Sequence, residues 1–238
     1  MDPKSSMFFR TIRGLPSNAA ILASRVSLSF ENGTAADYAS GLYVHHVLLA
    51  DISKPSAPFA LCPNRGREDN VKDWLFGNLM DTIGAGLLQV GNDALGTPNV
   101  YFSNSEKANF KSAFLTGKDD LFGMQAELVN YNPTNKTVFI DLEVEYLDHQ
   151  PADWMDASTM VLSATGCKDP GYRPPQKELI YTHISEKVEV TNNGYIVNTR
   201  GHLHDGGTSI ELWHNDKMVC SSKPTYGKAP GSDANTPP

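Results

Sequence analysis

The stretch that decides the fold class is Val138-Phe139-Ile140-Asp141-Leu142-Glu143-Val144-Glu145-Tyr146-Leu147. Val138, Ile140, Leu142, Val144 and Tyr146 occupy every second position, and Asp141, Glu143 and Glu145 lie between them. Successive side chains of an extended chain point to opposite faces, so this spacing predicts a strand with one face in a core and the other in water. Leu121 to Tyr131 reads as a preceding strand, and Asn132-Pro133-Thr134-Asn135 between the two favours an antiparallel hairpin. Val26, Leu28 and Phe30 oppose Arg25, Ser27 and Ser29 ahead of a turn at Glu31-Asn32-Gly33. Further strands are expected at Leu42 to Ala50, Ser158 to Ala164, Glu186 to Thr191, Tyr195 to His204 and Thr208 to His214, with Lys217 to Ser221 following the Asn215-Asp216 turn.

Helical signal is nearly absent. Ser105 is placed to cap a short helix over Glu106 to Ala113, but the apolar spacing there is poor and fits a loop equally well. Many short strands between Gly, Pro and Asn turns predict an all-β fold, an antiparallel β-sandwich of jelly-roll type. The expected organisation is one unit over 1–238, or two packed jelly-roll halves at roughly 20–150 and 151–227, with a loop-like tail at 228–238. Asn64 to Asn104 stands apart: Trp74, Phe76, Leu79, Met80, Ile83, Leu87, Leu88 and Val90 are interspersed with glycines. That segment suits core packing or the wall of an apolar pocket.

The chain has 238 residues, with 20 Lys plus Arg against 27 Asp plus Glu and a net charge of -7. Basic residues form no stripe able to neutralise phosphates, so nucleic acid and anionic membrane are poor partners. No apolar run approaches the roughly 20 residues that cross a bilayer. The opening Met1 to Ser6 lacks an apolar run with a cleavage site, so no secretory signal is expected in this chain. The sequons at Asn32 and Asn135 would suit a glycoprotein, and Cys62, Cys167 and Cys220 are an odd number. Cys167 and Cys220, both near turns, are expected to pair. A secreted or secretory-lumen protein is the expectation, and a homodimer stays open.

Four of the seven histidines fall into two motifs, His45-His46 and His202-Leu203-His204 followed by Asp205-Gly206-Gly207. In a strand, His202 and His204 would share a face and could serve one metal or one substrate. His45 and His46 would point to opposite faces unless a bulge intervenes. His149, His183 and His214 are isolated and read as surface or hydrogen-bonded residues. No Gly-x-Ser-x-Gly elbow, P-loop, dinucleotide fingerprint or Cys-x-x-Cys is present, so nucleotide cofactors are disfavoured.

Tyr43-Val44-His45-His46, Thr165-Gly166-Cys167, Gly201-His202-Leu203-His204-Asp205-Gly206-Gly207, Val219-Cys220 and Tyr226-Gly227 resemble a family of fungal secreted proteins. That family is similar to the core of the copper type II, ascorbate-dependent monooxygenases such as peptidylglycine α-hydroxylating monooxygenase. The resemblance implies copper ligation by His45 and His46 at one site and by His202 and His204 at a second. It also puts Glu127 where the first site has a third histidine, and the second site's methionine has no counterpart, since Met218 sits in the wrong strand. Similar fungal proteins of tropolone-sesquiterpenoid pathways act as hetero-Diels–Alderases without redox chemistry. The resulting expectation is a secondary-metabolism enzyme that cyclises an apolar small molecule with no cofactor. Its catalytic residues would be His45, His46, Glu127, His202 and His204. A copper monooxygenase and a noncatalytic secreted binding protein are the alternatives.

Overall fold

The computed structural model describes residues 4–54, 85–91, 100–103, 110–159, 162, 175, 177, 180–187, 190, 193–203 and 206–224. Its strands are β1 (Ser5–Ile12), β2 (Ala20–Ser29), β3 (Leu42–Asp51), β4 (Ala85–Gly91), β5 (Val100–Tyr101), β6 (Ser112–Leu115), β7 (Phe122–Asn130), β8 (Phe139–Leu147), β9 (Met155–Asp156), β10 (Ile210–His214) and β11 (Lys217–Ser222). Apart from one 3-10 turn at Tyr38–Ser40 there is no helix among the described residues.

One sheet has the order β1-β7-β3-β4 and is antiparallel throughout. The second has the order β5-β2-β6-β9, with β8 laid along β2. Only the short β6–β9 pair is parallel among the described pairs. Ile21 and Phe114 from the second sheet meet Val47, Leu49, Leu87, Leu88, Phe122 and Ala126 from the first in one buried cluster. Two sheets closing on a shared apolar layer make an antiparallel β-sandwich, as the alternation predicts.

The expected hairpin does not form. β7 is an interior strand with β1 on one side and β3 on the other, while β8 pairs with β2 in the opposite sheet. The intervening asparagines hold a crossing instead of a tight reversal. Asn130 Oδ1 accepts from the Asn132 amide at 2.9 Å, and Asn132 Nδ2 donates to the Ser40 carbonyl at 2.8 Å. In β8, Ile140, Leu142 and Val144 pack on the core as expected, whereas Tyr146 is exposed.

The Asn215-Asp216 reversal does join β10 to β11, and both residues have positive φ, 47° and 63°. Asn and Asp tolerate that region, which a tight two-residue hairpin turn demands. Glu186 to Thr191 and Tyr195 to His204 form no strand at their described residues. Ser112–Leu115 is a strand, so the short helix or loop expected over Glu106 to Ala113 gives way to extended chain at Ser112 and Ala113. Cys220 on β11 is a free, half-buried thiol, and its expected partner Cys167 lies outside the described residues. Cys62, Cys167, His204 and all of 64–84 lie outside the described residues. Leu87, Leu88 and Val90 are core residues on β4, not pocket wall.

Candidate metal centre

The site is built by a change of parity in β3. Leu42 and Val44 pack toward apolar clusters inside the sandwich, and so do Val47 and Leu49. Even-numbered residues face inward before His45 and odd-numbered ones after His46, which requires one extra residue in the strand. The pairing to β7 shows it: Val44 stands opposite Leu128 and His46 opposite Glu127, with the register shifting between them. A β-bulge therefore sends both His45 and His46 to the face away from the shared core. Regular alternation forbids this for neighbouring residues.

Glu127 lies on that same outward face, between the buried Gln125 and Val129. Its Oε2 is 2.9 Å from His45 Nδ1 and 3.3 Å from His46 Nδ1. The ligand-capable atoms of the three residues all lie within 4.8 Å of one another. The carboxylate is only 4% exposed, and its Oε1 is buried without a hydrogen bond to any described residue. Burial pushes the Glu127 carboxyl up, but the His45, Ser5 and His46 side chains and the charge of His45 outweigh it and hold the pKa below the ordinary value. Two imidazoles and a charged carboxylate facing one point form a donor set that a divalent metal ion would satisfy, including the idle Oε1.

His202 joins the site from the far part of the chain. Its ring packs edge-on against His46 with centroids 5.3 Å apart, while the His45 and His46 rings are 4.3 Å apart. Gly91 on β4 pairs with His46, and a Cβ there would fall 2.2 Å from His202 Cε1. The missing side chain of Gly91 is the space His202 occupies. Gly201 fits against β10 and β11 in the same way, since a Cβ on it would meet Ile210 Cγ2 at 1.9 Å.

Of the sequence-predicted site residues, His45, His46, Glu127 and His202 therefore come together. His204 lies outside the described residues. His202 is placed by packing on Gly91, not by the strand alternation expected for it. Gly91 itself was missed by sequence reasoning. Its signal is a glycine closing the strand-like stretch Leu87-Leu88-Gln89-Val90, where close approach of another group is a standard cause. Met218 is exposed on β11, opposite Trp213, and is not part of the site.

The chain is 22% identical over 222 residues to a "Probable copper-dependent oxygenase M1" of Phoma sp., an alignment covering 91% of this chain and 50% of that protein. It is also 22% identical over 213 residues to a "Probable copper-dependent oxygenase clz3" of Cochliobolus lunatus, covering 87% of this chain and 59% of that one. The chain thus spans about half the length of the curated relatives it matches. No family model matches it, and no solved structure does. These two similarities support a relationship to fungal copper-oxygenase-like proteins.

Proposed function

We propose that this chain forms the metal-binding part of a fungal oxygenase, holding one divalent transition-metal ion between His45, His46 and Glu127. The observation that carries this reading is the bulge that turns both imidazoles toward a buried carboxylate with an idle oxygen. The names of the two relatives support the reaction class. When bound, the ion supplies Lewis acidity and electron chemistry toward dioxygen that side chains lack. The protein's own part is placement. β3 and β7 fix the imidazoles and the carboxylate on a paired ladder, so little rearrangement is needed for the three donors to meet one ion. His202, itself exposed, packs on His46 and stands at the solvent-facing flank of the centre.

This reading leads over the cofactor-free expectation, because Glu127, standing where the resembled copper site has a third histidine, is itself a metal donor. The same pairing also carries a second reading. Either imidazole, held against the buried Glu127 carboxylate, could pass a proton as a general acid in cyclising an apolar substrate, as in a hetero-Diels–Alder step.

Elemental analysis separates the two. The metal reading expects about one transition-metal ion per chain after equilibration and dialysis, lost in His45→Ala and His46→Ala with Tm nearly unchanged in the metal-free state. Bound ion should also raise Tm in the unsubstituted chain, by mass action on the folded state. A chain that takes up no ion, yet loses ligand-induced thermal shifts with tropolone- or terpene-like compounds in the same two variants, supports the acid-assisted reading.

A further inference from the structure

We propose that this centre selects an iron(II)-like divalent ion and does not retain copper(I), the state a redox-cycling copper site must pass through. The inference rests on the metal-centre reading above and concerns which ion it takes. Copper(I) is soft and favours imidazole, thioether and thiolate donors in low coordination numbers. Here one of the three converging donors is a hard carboxylate, Glu127, 4% exposed and 2.9 and 3.3 Å from the two imidazole nitrogens. Two histidines and one carboxylate on one face, with the remaining positions open, is the donor set of non-haem iron(II) oxygenases.

Among the described residues, soft donors do not make up the difference. Met7 stands opposite Glu127, but on β1, the flank away from His46 on β3, and its sulfur takes a hydrogen bond from Gln125 Nε2 at 3.5 Å. Cys220 lies on β11, in the separate β10–β11 hairpin. His202 is a further imidazole beside His46, yet among the described residues the group converging within 4.8 Å consists of His45, His46 and Glu127 without it. A fourth imidazole would serve an iron(II)-like ion, which takes five or six ligands, at least as well as copper(I). Copper(II) is not discriminated against by this set, because affinities for divalent ions peak at copper whatever the donors. The selectivity lies in the reduced state.

The test uses the full chain, stripped of metal and kept anaerobic, with cobalt(II) as a spectroscopic probe, iron(II) as competitor, and copper(I) buffered by bicinchoninate. The expected result is one cobalt(II) per chain with visible d–d bands, displacement by iron(II), and surrender of copper(I) to bicinchoninate. Glu127→His should reverse the preference, weakening cobalt(II) and strengthening copper(I) by about tenfold or more each. Glu127→Gln, which keeps the shape should the histidine variant fail to fold, should weaken cobalt(II) by a similar factor without gaining copper(I). Retention of one copper(I) by the unsubstituted chain overturns the inference and leaves the metal-centre reading standing, and its loss in His202→Ala would identify a three-imidazole site. Undiminished cobalt(II) affinity in Glu127→Gln also overturns it. A chain that holds neither ion overturns both readings together.

Discussion

Asp51 shows how a single side chain can work against stability at neutral pH. It ends β3 fully buried, its Oδ1 accepting from the Ser53 amide at 2.9 Å and from the Ser53 hydroxyl at 2.5 Å. Oδ2 is buried without a hydrogen bond to any described residue. Burial and the neighbouring Asp120 carboxylate raise its pKa, against the lowering effect of the Ser53 hydrogen bonds. A raised carboxyl pKa means the folded chain holds that proton more tightly than the unfolded one. The stability it contributes is fully present below the unfolded value and is lost as pH rises through the folded value. Asp51→Asn keeps the Oδ1 acceptor and turns an N–H toward Asp120. It should raise Tm at pH 7 by roughly 2–4 °C, the shift that about 1 kcal/mol makes in a chain of this size, with the gain vanishing near pH 3. Thermal melts of both proteins across pH 3 to 8 check this.

Gly91 is the complementary case, a residue whose importance is an absence. A methyl group there would need the volume of the His202 ring, so Gly91→Ala should separate His202 from His46 while β4 keeps its pairing. The imidazole carbon and nitrogen shifts of His202 should change in NMR spectra, and far-ultraviolet circular dichroism should not.

At the scale of elements, the bulge in β3 joins fold to site. Without the extra residue, Val44 and His46 would both lie in one regular ladder against β7, and a single imidazole would face Glu127. Deleting His45 should therefore leave a folded β protein in which Val47 and Leu49 still reach the core. Metal affinity should fall at least as far as the tenfold to hundredfold range seen when an orienting partner of a metal ligand is lost, since here a ligand itself goes. A cobalt(II) titration beside a circular dichroism spectrum reads both outcomes. Intact metal affinity in the deletion would show that the bulge is not what assembles the centre.

At the scale of the whole molecule, the sandwich depends on a few large side chains that touch both sheets. Phe114 of β6 is fully buried, lies 5.5 Å from the Phe102 ring and 6.3 Å from the Phe122 ring, and carries the Lys54 ammonium 4.5 Å from its own centroid. Lys54 follows β3 in one sheet and donates to the Leu115 carbonyl and, at 3.0 Å, to Asp156 Oδ2 beside the other. Phe114→Ala should cost about 3–5 kcal/mol, because the cavity it leaves is walled by both sheets and cannot close by moving one of them. Chemical denaturation would show this as a fall in midpoint at unchanged slope.

The sequence alone determined that this is a β-sandwich, because the alternation in 138–147 and 121–131 fits a half-buried strand and no helix. It also determined the Asn215-Asp216 reversal, since two residues suited to positive φ in sequence leave the backbone few other shapes. The chemistry of the site was legible as residue types: His45-His46, Glu127 and His202 were all singled out. Their arrangement was not. Tyr43, Val44, Val47, Leu48 and Leu49 are all apolar, so no alternation in β3 marks where parity changes. The bulge follows instead from how β3 pairs with β7. The partner of each strand was equally hidden, because the turn between β7 and β8 encodes a bend and not which edge is free. His202 reaches His46 only because Gly91, more than a hundred residues away, leaves room for its ring. Local propensity and periodicity act over a few residues and can be read along the chain, whereas register, sheet order and close contact between distant segments are decided by packing the whole chain at once.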